Sequence, residues 1–116
     1  MQTTTPAKLT PEIRTRTNFS LETLTDFCNK WDIASLAVFG SVLRSDFGAD
    51  SDIDCLVSFT PEAKRSLLTR VRIKHELESM VGRPIDVVAR KSVEESDNWI
   101  RRHEILSTAQ TIYEQT

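Results

Sequence analysis

Apolar residues recur at helical spacing after Ser20, at Leu21, Leu24, Cys28 and Trp31. Ser20 is a good N-cap, so the spacing predicts a helix over about 20–31. The run 35–39 (SLAVF) is short, apolar and closed by Gly40, which predicts a buried strand. A short helical turn over SVLRSDF and a loop at GADS follow. Residues 52–59 (DIDCLVSF) then read as a second strand. Thr60, Pro61 and Glu62 announce a long helix with Ala63, Leu67, Leu68, Val71, Leu77 and Val81 on its apolar face. Gly82 suits its left-handed end, and Pro84 follows. Residues 85–89 (IDVVA) give a third strand. Ser92 and Glu95 form a capping box for a last helix reaching about His103, and TIYE near the end reads as a short final strand.

Strand three follows a long helical crossover, so it is expected to run parallel to its neighbour. The pattern is that of an α/β (α+β) domain: a small mixed sheet flanked by helices. The Thr-, Pro- and Arg-rich residues 1–18 read as a flexible segment ahead of a domain over 19–116.

Composition narrows the function little. Of 116 residues, 39% are hydrophobic and 28% charged, as in globular domains. No apolar run approaches the roughly 20 residues of a membrane span. The N-terminus lacks an apolar signal region, so a cytoplasmic protein is expected. A net charge of -2 does not point to direct nucleic-acid binding. The basic stretch 64–74 (KRSLLTRVRIK) reads first as the solvated face of a helix. Cys28 and Cys55 read as small buried apolar residues rather than a disulfide or metal pair.

The chemistry concentrates in 38–59 (VFGSVLRSDFGADSDIDCLVSF). Side chains alternate along a strand, so Asp52 and Asp54 share one face while Ile53, Cys55 and Val57 turn to the core. Same-side positions stand roughly 6.6–6.8 Å apart, a spacing that lets two carboxylates hold one divalent cation or flank a metal pair. All-oxygen ligation suits Mg²⁺ better than zinc. Asp86 interrupts the apolar IDVVA, and burying a lone charge is costly. If its strand pairs beside the second, Asp86 completes a carboxylate cluster and can serve as general base.

A lone D-x-D more often marks a solvated strand end. A calcium loop beginning at Asp50 fails, because Cys55 stands where glycine is required and Pro61 where glutamate is required. Gly40 and Ser41 add weight. Glycine after a strand lets backbone approach a ligand, and the N–H groups of the next turn can hold a phosphate. Ser41 can add a hydrogen bond, and Arg44 lies one turn on, within reach of a triphosphate. No Walker-type phosphate loop occurs. His75, His103, Ser107 and Tyr113 form no catalytic constellation, and Trp31 and Trp99 read as packing residues.

Together, Gly40-Ser41, ten residues, then Asp52-x-Asp54 resembles the G-S-x10-D-x-D pattern of polymerase-β-like nucleotidyltransferases. The string FGSVLRSDFGADSDIDCLV is similar to the minimal nucleotidyltransferases, or MNT proteins, which are commonly antitoxins of HEPN-domain ribonuclease toxins. The resemblance runs from about Leu36 to Val88. It implies that Gly40, Ser41 and Arg44 bind the nucleotide, and that Asp52, Asp54 and Asp86 are catalytic and hold Mg²⁺. Ser45 and Cys55 depart from the commoner Gly and Leu without touching the metal chemistry.

The resemblance further implies AMP transfer from ATP to a tyrosine hydroxyl of a cognate HEPN toxin, in a hetero-oligomer. The alternative is an antitoxin that neutralises its partner by binding alone. Transfer to a small molecule such as an aminoglycoside is less favoured, since the chain is short for a further acceptor-binding domain.

Overall fold

The computed structural model describes residues 9–64 and 66–115. Four strands form one sheet in the order β3-β2-β1-β4, where β1 is Ile33–Phe39, β2 Ile53–Phe59, β3 Ile85–Ala89 and β4 Gln110–Glu114. β1 lies antiparallel to both β2 and β4, and β2 lies parallel to β3. The sheet is therefore mixed, with the parallel pair expected from the crossover. Helices α1 (Pro11–Thr17), α2 (Leu21–Trp31), α3 (Leu67–Val81), α4 (Arg90–Glu94) and α5 (Trp99–Thr108) surround it, and a 3-10 turn spans Gly40–Leu43.

Alternation sorts each strand between two cores. Leu36, Val38, Ile53, Cys55 and Val57 face a larger core with Leu24, Phe27 and Cys28 of α2 and Ile73 and Leu77 of α3. Ala37, Phe39 and Leu56 face a smaller core with Val93 and Ile105. Both cysteines are free and buried. Burial pushes the Cys28 thiol up to about 12 and the Cys55 thiol higher still, so both are inert apolar fillers. Among the described residues no helix is long and apolar enough to cross a membrane.

Three sequence expectations need correction. First, the long helix does not begin at Thr60. Thr60–Ala63 forms a turn, with Ala63 N–H donating to Thr60 O (3.1 Å) and Thr60 N–H donating to Asp32 O (2.9 Å). Pro61 takes the second turn position it favours. Ser66 caps α3, its hydroxyl accepting from Thr69 N–H (3.1 Å). Leu67, Leu68 and Val71 are exposed. The inward stripe is Ile73 and Leu77, while Arg70 and Lys74 reach the carbonyls of Val87 and Ile85 at its edge. Part of the basic run thus hooks α3 to β3.

Second, the last helix is two. Ser96–Asn98 interrupts it, and Asn98 starts α5 by accepting from Arg101 N–H (3.1 Å). Third, the segment read as flexible over 1–18 contains α1. Thr10 caps it and Asn18 ends it in the left-handed region. Ile13 is 3% exposed in the larger core. The buried Thr17 hydroxyl donates to Ile13 O (2.7 Å) and accepts from Phe19 N–H (3.2 Å). Residues 1–8 of that segment lie outside the described residues.

Ile13→Ala should therefore cost about 2–5 kcal/mol, the usual range for truncating a buried aliphatic side chain. Denaturant unfolding checks this; a loss near zero would return α1 to the status of a loose appendage.

Candidate active site

The site is assembled at one end of β2. Phe39, the last residue of β1, pairs with Asp54 in antiparallel register. Asp54 pairs with Asp86 in parallel register on the other side. Three strands thus bring the Gly40 turn and two carboxylates to one place. Gly40 has φ +79, a left-handed conformation that glycine adopts freely. A Cβ at Gly40 would overlap the Asp54 carboxylate. Glycine is needed here for both backbone and space. The Ser41 hydroxyl reaches Asp52 O at 3.4 Å, a long bond linking the turn to the start of β2.

Asp54 is half-buried, whereas Asp52 and Asp86 are exposed. The cost argued for burying Asp86 inside IDVVA does not arise, because β3 is an edge strand and Asp86 opens to solvent near its start. Burial raises the Asp54 pKa above its ordinary value, and the charges of Asp86 and Asp52 raise it further. Arg101 and then Arg44 act in the opposite direction. Among the described residues, no group of three or more His, Cys, Asp or Glu side chains stands in metal-holding geometry. Asp86 and Asp52 thus act on Asp54 by charge, without the three converging into a closed cage.

A cleft of about 630 Å³ opens in front of Asp54. Gly40, Ser41 and Arg44 line one side, and Arg101, Glu104 and Thr108 of α5 line another. Asp52 and Asp86 are not part of its wall. The loop between the glycine turn and Asp52 is pinned from two sides. Arg16 of α1 donates through Nη1 to Val42 O (2.8 Å) and Arg44 O (2.7 Å). Arg83 donates through Nη1 to Gly48 O (3.0 Å) and Ser51 O (2.9 Å). Both guanidinium groups lie by the Phe47 ring, at 5.6 Å and 4.5 Å. At the start of β3, the Glu78 carboxylate accepts from Ile85 N–H at 3.0 Å and fixes the residue before Asp86. The Lys74 ammonium and that N–H hold Glu78 below its ordinary carboxylate pKa.

A family model for the nucleotidyltransferase domain matches residues 21–110, from α2 to the start of β4. This chain belongs to the nucleotidyltransferase domain family. A provisionally named protein adenylyltransferase of Methanocaldococcus jannaschii, MJ0435, is 42% identical over 64 residues, or 55% of this chain and 67% of that protein. Protein adenylyltransferase MntA of Thermococcus cleftensis is 34% identical over 64 residues, 55% of this chain and 63% of that one. The match thus spans about two thirds of each relative's length.

A solved structure of a provisionally named minimal nucleotidyltransferase superposes with a TM-score of 0.59 at 32% identity, covering 76% of this chain and 84% of the other. The resemblance to minimal nucleotidyltransferases read from the sequence is borne out. A chain in the complex of tri-AMPylated Shewanella oneidensis HEPN toxin with MNT antitoxin superposes with a TM-score of 0.56. It covers 88% of this chain and 72% of its own length, at 13% identity, which is a likeness of fold.

Of the residues singled out in the sequence of this nucleotidyltransferase domain, the structure brings Gly40, Ser41, Arg44 and Asp54 to one cleft, while Asp52 and Asp86, expected to share a cluster with Asp54, lie outside its wall. The sequence reading missed Arg101, Arg16 and Arg83. No local motif announces Arg16 or Arg83, since their contacts are made across 26 and 28 residues and across 35 and 32 residues. For Arg101 the cleft itself is the signal.

Two outcomes follow from the crowding around Asp54. An acid with a raised folded-state pKa destabilises the fold once ionised. That penalty sets in as pH rises from the unfolded carboxylate range through the folded value. Asp54→Asn should raise the unliganded Tm at neutral pH, and the gain should vanish well below about pH 3.9, where both states are protonated. A gain that persisted in acid would assign the effect to something other than charge. Gly40→Ala should cost at least about 1 kcal/mol from the left-handed backbone alone, with further loss from displacing the Asp54 carboxylate; chemical denaturation reads both.

Proposed function

We propose that this nucleotidyltransferase transfers AMP from ATP, with Mg²⁺, to a tyrosine hydroxyl of a HEPN-domain ribonuclease toxin in the cytoplasm, and so acts as its antitoxin. The observation that carries the reading is the juxtaposition of the Gly40–Ser41 turn with Asp54, flanked by Asp86 and Asp52, at the mouth of an open cleft. The names of the relatives as protein adenylyltransferases, and the solved toxin–antitoxin complexes of like fold, support it.

The residues fit a magnesium ion. Their donors are all carboxylate oxygens, and the mutual repulsion at Asp54 is what a cation relieves. Mg²⁺ is usually held by one or two carboxylates, with substrate phosphates and water completing the shell, so a closed protein cage is not required. Asp52, Asp54 and Asp86 would hold it. When bound, it supplies charge neutralisation of the triphosphate and the leaving pyrophosphate.

The chain's own groups do the rest. Backbone N–H groups of the Gly40–Leu43 turn and the Ser41 hydroxyl would hold phosphate oxygens, and Arg44 would add a charged contact. Asp86 would accept the proton of the attacking hydroxyl, a reading supported by its exposure and its register beside Asp54. The phenolic oxygen bonds to the α-phosphorus, the bond from that phosphorus to the bridging oxygen breaks, and pyrophosphate leaves.

The test uses ATP labelled at the α-phosphate, Mg²⁺, the purified protein and a co-purified partner. A labelled partner band, absent with Asp54→Asn and with a metal chelator, is expected. An intact complex that never takes up label, yet in which the toxin stays silent, would replace this reading with neutralisation by binding alone.

A further inference from the structure

Arg101 is unassigned by any motif, yet it occupies the cleft wall facing the glycine turn. Its placement is built from the sequence. Asn98 caps α5 by accepting from Arg101 N–H, and the next residue, Arg102, is tied back through Nη1 to Ser96 O at 2.7 Å. One turn on, Ile105 is 4% exposed and seals α5 against Ala37, Phe39 and Leu56 of the sheet. Residues four apart share a helix face, so anchoring Ile105 inward brings Arg101 to the mouth of the same cleft. Glu104 and Thr108 follow along that wall.

The other cations near the site are occupied. Arg16 and Arg83 hold loop carbonyls, and Arg44 Nε lies 3.3 Å from Asp46. Among the described residues, the Arg101 guanidinium makes no hydrogen bond and no ion pair within 4.0 Å, although it stands across the cleft from Asp54. An arginine with its donors unspent, on a fixed helix, opposite a phosphate-type turn, is arranged for a multi-oxygen anion that its planar fork can grip, rather than for the fold.

The geometry points to Arg101 as a second substrate-binding arginine, which grips the β- and γ-phosphates of the nucleoside triphosphate from the side opposite Arg44. The inference rests on the nucleotidyltransferase reading of the cleft and adds to it a closing wall: α5 and the Gly40 turn hold the triphosphate between them. It also gives the site a way to prefer a triphosphate over a monophosphate. Arg101 contacts only the part that leaves, so its grip should be felt by ATP and not by AMP.

The test is calorimetric titration of the full chain with ATP and with AMP, in Mg²⁺, for the wild type, Arg101→Gln and Arg101→Lys. Loss of a charged hydrogen-bonding pair should weaken ATP roughly tenfold or more in the Gln variant. AMP affinity should stay within about twofold. The Lys variant should recover part of the ATP affinity, because it keeps the charge and loses the fork. Unliganded Tm should fall only slightly, since the exposed side chain makes no hydrogen bond or ion pair and acts on the fold only through its charge opposite Asp54. Unaltered ATP binding in Arg101→Gln, or an equal loss for ATP and AMP, would overturn this role and leave the nucleotidyltransferase reading standing. A wild-type protein that binds no triphosphate would remove both.

Discussion

The Asp54 carboxylate lies in the space that a side chain at position 40 would fill, and the rest of the site depends on that contact. It can form because β1 and β2 pair so that Phe39 meets Asp54, which sets the next residue, Gly40, over the carboxylate. The same strand pairs on its other side with β3, in the register that sets Asp86 beside Asp54. A one-residue slip of β2 against β1 would send Asp54 into the larger core and Cys55 into the cleft, and a slip of β3 would turn Asp86 away from Asp54. The register is held by the apolar alternation around it, Ile53, Cys55 and Val57 on one side and Leu56 on the other. Packing of the core and placement of the carboxylates are therefore one constraint.

Loops alone would not keep this arrangement. Between Gly40 and Asp52 the chain has few apolar anchors, and the loop is held by charge and aromatic contact instead. Arg16 and Arg83 each use one nitrogen to take two backbone carbonyls, and both lie by Phe47. A guanidinium suits this task because it offers several donors in a fixed plane and sheds water readily. Buried helix residues Ile13 and Thr17 give Arg16 its footing, so α1 belongs to the site's support as well as to the core.

Much of this was legible in the sequence, and the misses have common physics. The apolar run 35–39, closed by Gly40, is legible as a strand because burial of Leu36 and Val38 on one face and Ala37 and Phe39 on the other leaves a continuous apolar signal. The Gly82 cap was equally plain, and its φ of +75 agrees. Local capping was misread where two candidates competed. Thr60 and Ser92 satisfy the rules for starting a helix, but Ser66 and Asn98 are the residues whose side chains accept the backbone N–H groups. The apolar face of α3 was drawn too far toward its N-terminus, because Arg70 and Lys74 occupy its inner edge with their heads on β3 carbonyls. The meeting of Gly40 with Asp54 is legible because β1 and β2 are consecutive strands that pair directly. Arg101 is not, because only the packing of Ile105 says which way its helix faces.

The protein leaves an energetic conflict at the centre of this site. Asp54 is half-buried next to two other carboxylates, and the charges of Arg101 and Arg44 offset this in part. A fold selected for stability alone would place a neutral residue there. The charge is tolerable because the remaining structure is over-determined around it: paired strands on both sides, two cores, and a loop tied down by two arginines. A cation would relieve this conflict by quenching the carboxylates, whereas a triphosphate alone would add negative charge and draw on Arg44 and Arg101. Each ligand lowers the cost of admitting the other, so metal and nucleotide should bind as a unit rather than in independent steps.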